Sequence, residues 1–178
     1  MSDDPDAVAS LRAVAHPLRL QILSLLTGAP MSAAEIAREL DLTHANASYH
    51  LRVLAEAGEV VEAGVEKIRG GVAKRYRHPW DRLLETPSSA GPDLSDADRV
   101  RYVQALGTEL VRRFRQRRPG SRSYIADAEM WVSPDVWAQV TALVDEAARL
   151  LHAEAQAPRS AGTLHVNLSA AAFEMRRP

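Results

Sequence analysis

The chain contains no cysteine. Disulfides, thiolate metal sites and cysteine nucleophiles are excluded with it, while the redox compartment stays undetermined. It also has almost no net charge: 22 Lys and Arg against 23 Asp and Glu leave −1 at pH 7 over 178 residues. Any basic surface must therefore be local. No apolar run approaches the ~20 residues that a membrane helix requires. The opening Met1-Ser-Asp-Asp-Pro-Asp6 is acidic and lacks the charged-then-apolar run of a signal peptide, so a cytoplasmic protein is the expectation. A Gly-x-x-x-x-Gly-Lys loop for phosphates is missing too. The six histidines include no His-x-x-His or His-x-x-x-His pair, and His44 and His50 lie about 120° apart around a helix, which does not bring them together on a metal. No acid–base pair or nucleophile motif stands out, and Asp127, Glu129 and Asp135 read as solvent-facing strand and cap residues. The chain is expected to be no enzyme and to carry no cofactor or metal.

What is present is concentrated between Met31 and Tyr76. With 46% hydrophobic residues the chain can bury a core. Ser32, three residues ahead of Glu35, opens a short helix to Leu40 with a capping box. Asp41-Leu42 makes a tight turn, and Thr43 is a natural N-cap for the next helix. At about 100° per residue, Ala47, Leu51 and Leu54 form its inward stripe, to pack on Ile36, Leu40 and Leu25. The opposite side and first turn carry His44, Ala45, Asn46, Ser48, Tyr49 and Arg52. Asn can bond adenine bidentately, Ala can touch a thymine methyl, and Ser or His can donate or accept at base edges. His44, Ala45, Asn46, Ser48 and Tyr49 are thus the candidate base readers, with Thr43 and Arg52 on the backbone. Glu59 to Arg77 then forms a hairpin turning at Gly70-Gly71. Its Lys67, Arg69, Lys74, Arg75 and Arg77 are candidate phosphate contacts, although a charge run of this kind is commonly a solvated face.

The segments His16-Pro-Leu-Arg-Leu-Gln-Ile-Leu23, Ser32 to Leu40 and Ser48-Tyr-His-Leu-Arg-Val-Leu-Ala-Glu-Ala-Gly58 resemble the arsenic-repressor-like (ArsR-type) winged-helix regulators, over roughly Val8 to Trp80. The resemblance rests on a His-Pro-hydrophobic-Arg opening, a Ser-x-His-Leu core and an Ala-Gly helix end. It implies a winged helix-turn-helix that binds double-stranded DNA and regulates transcription. The thiolate site of the arsenic and cadmium sensors has no counterpart here. Beyond Trp80 the chain departs from the short metal-sensing members.

In chain order, Ala7 to Ala15 is helical, His16-Pro17 breaks it with His16 as a capped or packed junction residue, and Leu18 to Leu26 resumes. Residues 7–84 are read as the DNA-binding domain and 85–94, rich in Pro, Gly and Ser, as a linker. Residues 95–178 are read as a dimerisation or effector domain. A long helix from Asp96 to Arg118 has acids at its start and arginines at its end, where they suit the helix dipole or reach DNA. Its apolar positions, Val100, Val103, Gly107, Leu110, Val111 and Phe114, are those of a buried stripe. Tyr124 to Val132 alternates as a strand, and Ser133-Pro134-Asp135 starts a helix whose buried side is Val136, Val140, Leu143, Val144, Ala147 and Leu151. Leu164 to Ala170 is a second strand. Two strands and one helix are marginal alone and call for a partner surface, either the long arginine-ending helix or a second copy in a homodimer. Trp131, Trp137, Phe173 and Met175 could instead line a pocket for a small-molecule effector. The expected fold is mainly α with a small β component: an N-terminal winged helix-turn-helix followed by an α/β dimerisation region. The expected function is a dimeric, sequence-specific repressor, the other readings being a winged-helix protein-interaction module and an effector-responsive regulator.

Overall fold

The computed structural model describes residues 5–68, 71–80 and 95–176. The linker 85–94, Arg69 and Gly70 lie outside the described residues. The chain folds as mainly helical, with one small antiparallel sheet. Its elements are α1 (Pro5–Val14), α2 (Pro17–Gly28), β1 (Met31–Ser32), α3 (Ala33–Glu39), α4 (His44–Glu56), β2 (Val61–Ile68), β3 (Gly71–Arg77), α5 (Asp96–Arg115) and α6 (Pro134–Ala153).

Local chemistry sets the boundaries. His16 is the N-cap of α2, its Nδ1 accepting from the Leu18 amide at 3.2 Å, and Pro17 follows where a missing N–H costs nothing. Ser32 and Glu35 form a reciprocal capping box on α3. Asp41 takes the left-handed conformation (φ 53°) in the turn after α3, and the Leu42 amide donates to the Ala37 carbonyl at 2.8 Å. Thr43 then caps α4 by accepting from the Asn46 amide.

The core lies where α2, α3 and α4 meet: Ile22, Leu26, Ile36, Ala47, Leu51 and Leu54 are essentially inaccessible, with Leu25 and Leu40 packed at its edge. Each fully buried leucine there contributes roughly 1.5–3 kcal/mol of apolar transfer. The sheet runs β1-β3-β2. Met31 pairs with Tyr76 and Ser32 with Arg75, which ties the hairpin to the start of α3. A bulge at Glu62–Gly64 bends β2, and Gly64 there has φ +125°, a conformation a side chain would strain.

Helix α5 packs on α1 and α2, but not by the stripe that periodicity nominates. Val100, Val103, Leu110, Val111 and Phe114 are all exposed, and the inward side carries Asp98, Ala105 and Glu109. Asp98 is almost fully buried and takes two hydrogen bonds from Arg12 of α1, at 3.0 and 3.1 Å, plus others from Ser95 and Arg101. These bonds hold its carboxyl well below the usual range, against the opposing effect of burial. Glu109 accepts from Gln21 of α2 at 2.8 Å and from Arg112 and Arg113. Two of the C-terminal arginines thus neutralise a buried carboxylate. Nearby, burial pushes the Glu59 carboxyl up although Ser10 donates to it, and burial with the Glu59 charge pushes the Tyr102 phenol up.

The C-terminal region also departs from the sequence reading. Ser133 caps α6 as expected, yet no residue of α6 is buried. Neither Tyr124–Val132 nor Leu164–Ala170 is a strand; among the described residues, 95–176 contain helices, turns and irregular chain but no sheet. The α/β expectation for this region is corrected accordingly: alternation is present, but among the described residues no strand pairs with it. The arm is anchored at few points. Trp80 and His152 rings lie 5.5 Å apart, Arg159 pairs with Glu39 at 2.5 Å, and the Gln156 carbonyl sits against Gly28 so closely that a Cβ there would lie 2.1 Å from it.

Asp98→Asn is expected to lower the thermal midpoint at neutral pH. Because Asp98 titrates lower in the folded chain, its contribution is complete above the ordinary aspartate value of about 3.9 and is lost as pH falls below it. The gap between variant and wild type should therefore be full at neutral pH and smaller at an acid pH below about 3.9. Far-UV CD melts at both pH values check this, and equal midpoints at neutral pH would show that α5 is held by something else.

Candidate nucleic-acid interface

The core fixes the orientation of α4. With Ala47, His50, Leu51 and Leu54 turned inward, the helix must present its other side to solvent. His44, Ala45, Asn46 and Tyr49 are exposed, Ser48 is half-buried, and Arg52 is two-thirds exposed. Thr43 is also exposed at the N-terminus, where amides without intrahelical partners point outward. All the candidate residues of this helix therefore share one accessible surface. The Arg52 guanidinium lies 5.7 Å from the Tyr49 ring centre and 4.0 Å from Glu56, contacts loose enough to leave it available.

Behind this surface His50 is buried, its ring 5.1 Å from His16 and 5.2 Å from Tyr49. Burial lowers the pKa of both histidines, helped at each by the Arg19 charge and at His50 by His16. The neutral pair joins the N-cap of α2 to the middle of α4 and so sets how Tyr49 stands. Sequence reading placed His16 at the helix junction, but the pairing with His50 joins residues 34 positions apart and had no local signal.

The hairpin is less uniformly cationic than its composition suggests. Lys67 is exposed on β2 and Arg77 is half-buried at the end of β3. Lys74 pairs with Glu62 across the strands at 2.5 Å, an exposed contact that competes weakly with solvent. Arg75 has a different place from the expected one. It is largely covered, donates to the Pro30 carbonyl at 2.6 Å, and pairs with Glu66 at 2.5 Å and Glu35 at 3.2 Å. Its charge is used within the chain, where it braces the hairpin against β1 and the capping box of α3. The alternation that put it on a basic surface could not show the carboxylates brought to it from α3 and β2.

Of the aromatic and methionine residues named for an effector pocket, Trp137 is half-buried. Trp131, Phe173 and Met175 are exposed. An open depression between α2 and α5, lined by Gln21, Glu109 and Arg112 among others, contains none of them. Among the described residues, no helix is long and apolar enough to cross a membrane, and no group of three His, Asp or Glu is arranged to hold a metal ion.

Residues 14–62 match the family of helix-turn-helix domains, from the end of α1 to the start of β2. No curated protein matches the chain significantly. The matched stretch contains α3, the Asp41 turn and α4, and a helix-turn-helix domain indicates DNA binding and transcription regulation.

Two outcomes follow from this geometry. Arg75→Ala should loosen the hairpin, seen as faster amide exchange across the β1–β3 ladder at Met31 and Tyr76; unchanged exchange would remove the bracing role. Both histidines bind a proton more weakly when folded, so their contribution is complete above about pH 6.5 and is lost as pH falls through and below it. The thermal midpoint should drop on acidification through that window, and His50→Gln should flatten the drop. Identical pH profiles for variant and wild type would show that this pair does not set the dependence.

Proposed function

We propose that the chain is a sequence-specific, double-stranded DNA-binding repressor of the arsenic-repressor-like type, acting as a homodimer in the cytoplasm and carrying out no chemistry of its own. The observation that carries this reading is the exposed side of α4, where His44, Ala45, Asn46, Ser48 and Tyr49 lie on one surface over a packed core. These side chains suit base edges in the major groove, while Thr43 and Arg52 suit the flanking phosphates. The hairpin β2–β3 serves as the wing, with Lys67, Lys74 and Arg77 toward the backbone and Arg75 holding the wing in place; Arg69 falls outside the described residues. Two copies about a two-fold axis would set two recognition helices about one DNA turn, ~34 Å, apart. Occupying an operator in this way would exclude polymerase.

The test separates the roles. Asn46→Ala and Tyr49→Ala should change which duplex is preferred among fragments selected from random DNA. Lys67→Ala should weaken binding to all sequences and reduce the salt dependence by roughly one unit, as loss of one phosphate contact does. Arg75→Ala should weaken binding with the salt slope kept, because it acts on wing position. If neither sequence preference nor salt slope responds to any of these changes in gel-shift titrations, α4 and the wing are not the interface.

A further inference from the structure

Arg19 stands in the first turn of α2, directly after Pro17 and Leu18, and no acidic residue shares that turn. The amino end of a helix carries partial positive charge, so a guanidinium there is disfavoured by its own helix. Arg75, Arg112 and Arg113 are partly covered as well, but Arg75 meets Glu35 and Glu66, and the other two meet Glu109. Among the described residues no carboxylate pairs with Arg19, and burial lowers the pKa of its guanidinium. A cation that is partly desolvated, at the wrong end of a helix and without a counter-charge needs a reason outside the chain.

The position of its atoms supplies one. Nε is buried and makes no hydrogen bond, while Nη2 donates to the Arg12 carbonyl at 3.1 Å in an exposed contact. The outer end of the guanidinium is therefore at the surface, with donors to spare. Tyr49, exposed on α4, is near enough for its phenol charge to favour the charged Arg19. Between them and the core lies His50, 7% exposed, whose Nδ1 also has no hydrogen-bond partner. Two buried polar atoms are thus left open beside one unmatched charge. The side chain is also held: Arg12 lends Arg19 its carbonyl while its own guanidinium is fixed on Asp98 of α5. An anchored arginine loses little freedom on meeting a ligand, and its planar fork matches phosphate oxygens.

We propose that Arg19 binds a phosphate of the DNA backbone beside the bases that α4 meets. The anion brings the negative charge that α2 and its neighbours lack, and the amino end of α2 adds to the attraction. The phosphate belongs to the duplex because Tyr49, next to Arg19, lies on the surface turned to the bases. The duplex is then held from three elements, α4, the wing and α2, and the α2 contact helps to fix the register of α4 in the groove. The proposal rests on the DNA-binding reading above and adds to it a contact outside both the recognition helix and the hairpin.

Anisotropy titrations across a range of salt, on a duplex selected from random DNA by the wild-type chain, test it. Arg19→Gln should weaken binding to every duplex and lower the slope of log affinity against log salt by about one unit. Arg19→Lys keeps the charge and should keep the slope. In the free protein no ion pair is lost, so Arg19→Gln should melt at the wild-type midpoint; a lowered midpoint with the slope unchanged would make Arg19 a structural brace and overturn the proposal. A series of duplexes, each with one phosphate replaced by a neutral methylphosphonate, locates the contact: one replacement should weaken wild type and leave Arg19→Gln unaffected. Should Arg19→Gln fail to fold, Arg19→Lys decides, since the affinity it loses with the fork should vanish on that one duplex; a loss equal on all duplexes overturns the proposal. Inorganic phosphate at matched ionic strength should leave the midpoint of the free chain where it is. A rise that Arg19→Lys or Arg19→Gln abolishes would assign the site to a free anion and overturn the DNA contact. If the wild-type chain selects no duplex at all, the DNA-binding reading itself falls; selection with an unchanged slope in Arg19→Gln removes this contact alone.

Discussion

An ionised carboxylate can be buried only where donors replace the water it loses, and Asp98 and Glu109 are both supplied in this way. Arg12 reaches across from α1 and Gln21 from α2, each meeting a side chain that α5 would otherwise have to expose. These bonds determine which side of α5 is inward. Once the acids are pinned, the valines and Phe114 have nowhere to go but outward, because a helix cannot present both sides to the same neighbour. The polar interaction therefore creates the exposed apolar stripe on α5.

The DNA-binding half follows the more familiar logic of apolar burial. Ile36, Leu51 and Leu54 lock α3 and α4 together, and what is left over on α4 is polar, small and accessible. The two halves differ in how directly sequence reports them. The α4 stripe was legible because its inward residues contact others within a few turns, and the Ser32–Glu35 box is local by construction. Periodicity found the stripe on α5 equally well, with the right residues, but it assigned them to the inside. A helical repeat identifies a side without naming what that side faces.

The ion pairs of Arg75 and the unpaired C-terminal alternation lay beyond local pattern for related reasons. A cation on a strand looks the same whether it meets phosphate or Glu35, 40 residues away, and only the folded chain brings that carboxylate to it. Tyr124–Val132 and Leu164–Ala170 have the composition of strands, but a strand exists only when another backbone takes up its amides and carbonyls. The pairing of His16 with His50 is the same case in the opposite sense: neither residue carries a mark of the other, and the ring contact appears only when α2 and α4 pack.

Gly28 shows how the C-terminal arm is joined to the DNA-binding half. The Gln156 carbonyl occupies the space a side chain at position 28 would take, and three residues on, Arg159 holds Glu39 at the end of α3. The contact is main chain against main chain, so no rotamer change can relieve crowding there. Any bulk at position 28 would be transmitted as a displacement of the 156–159 turn and would pull on Glu39, the last residue of α3. Gly28 is thus one of the points at which the C-terminal arm bears on the N-terminal helices.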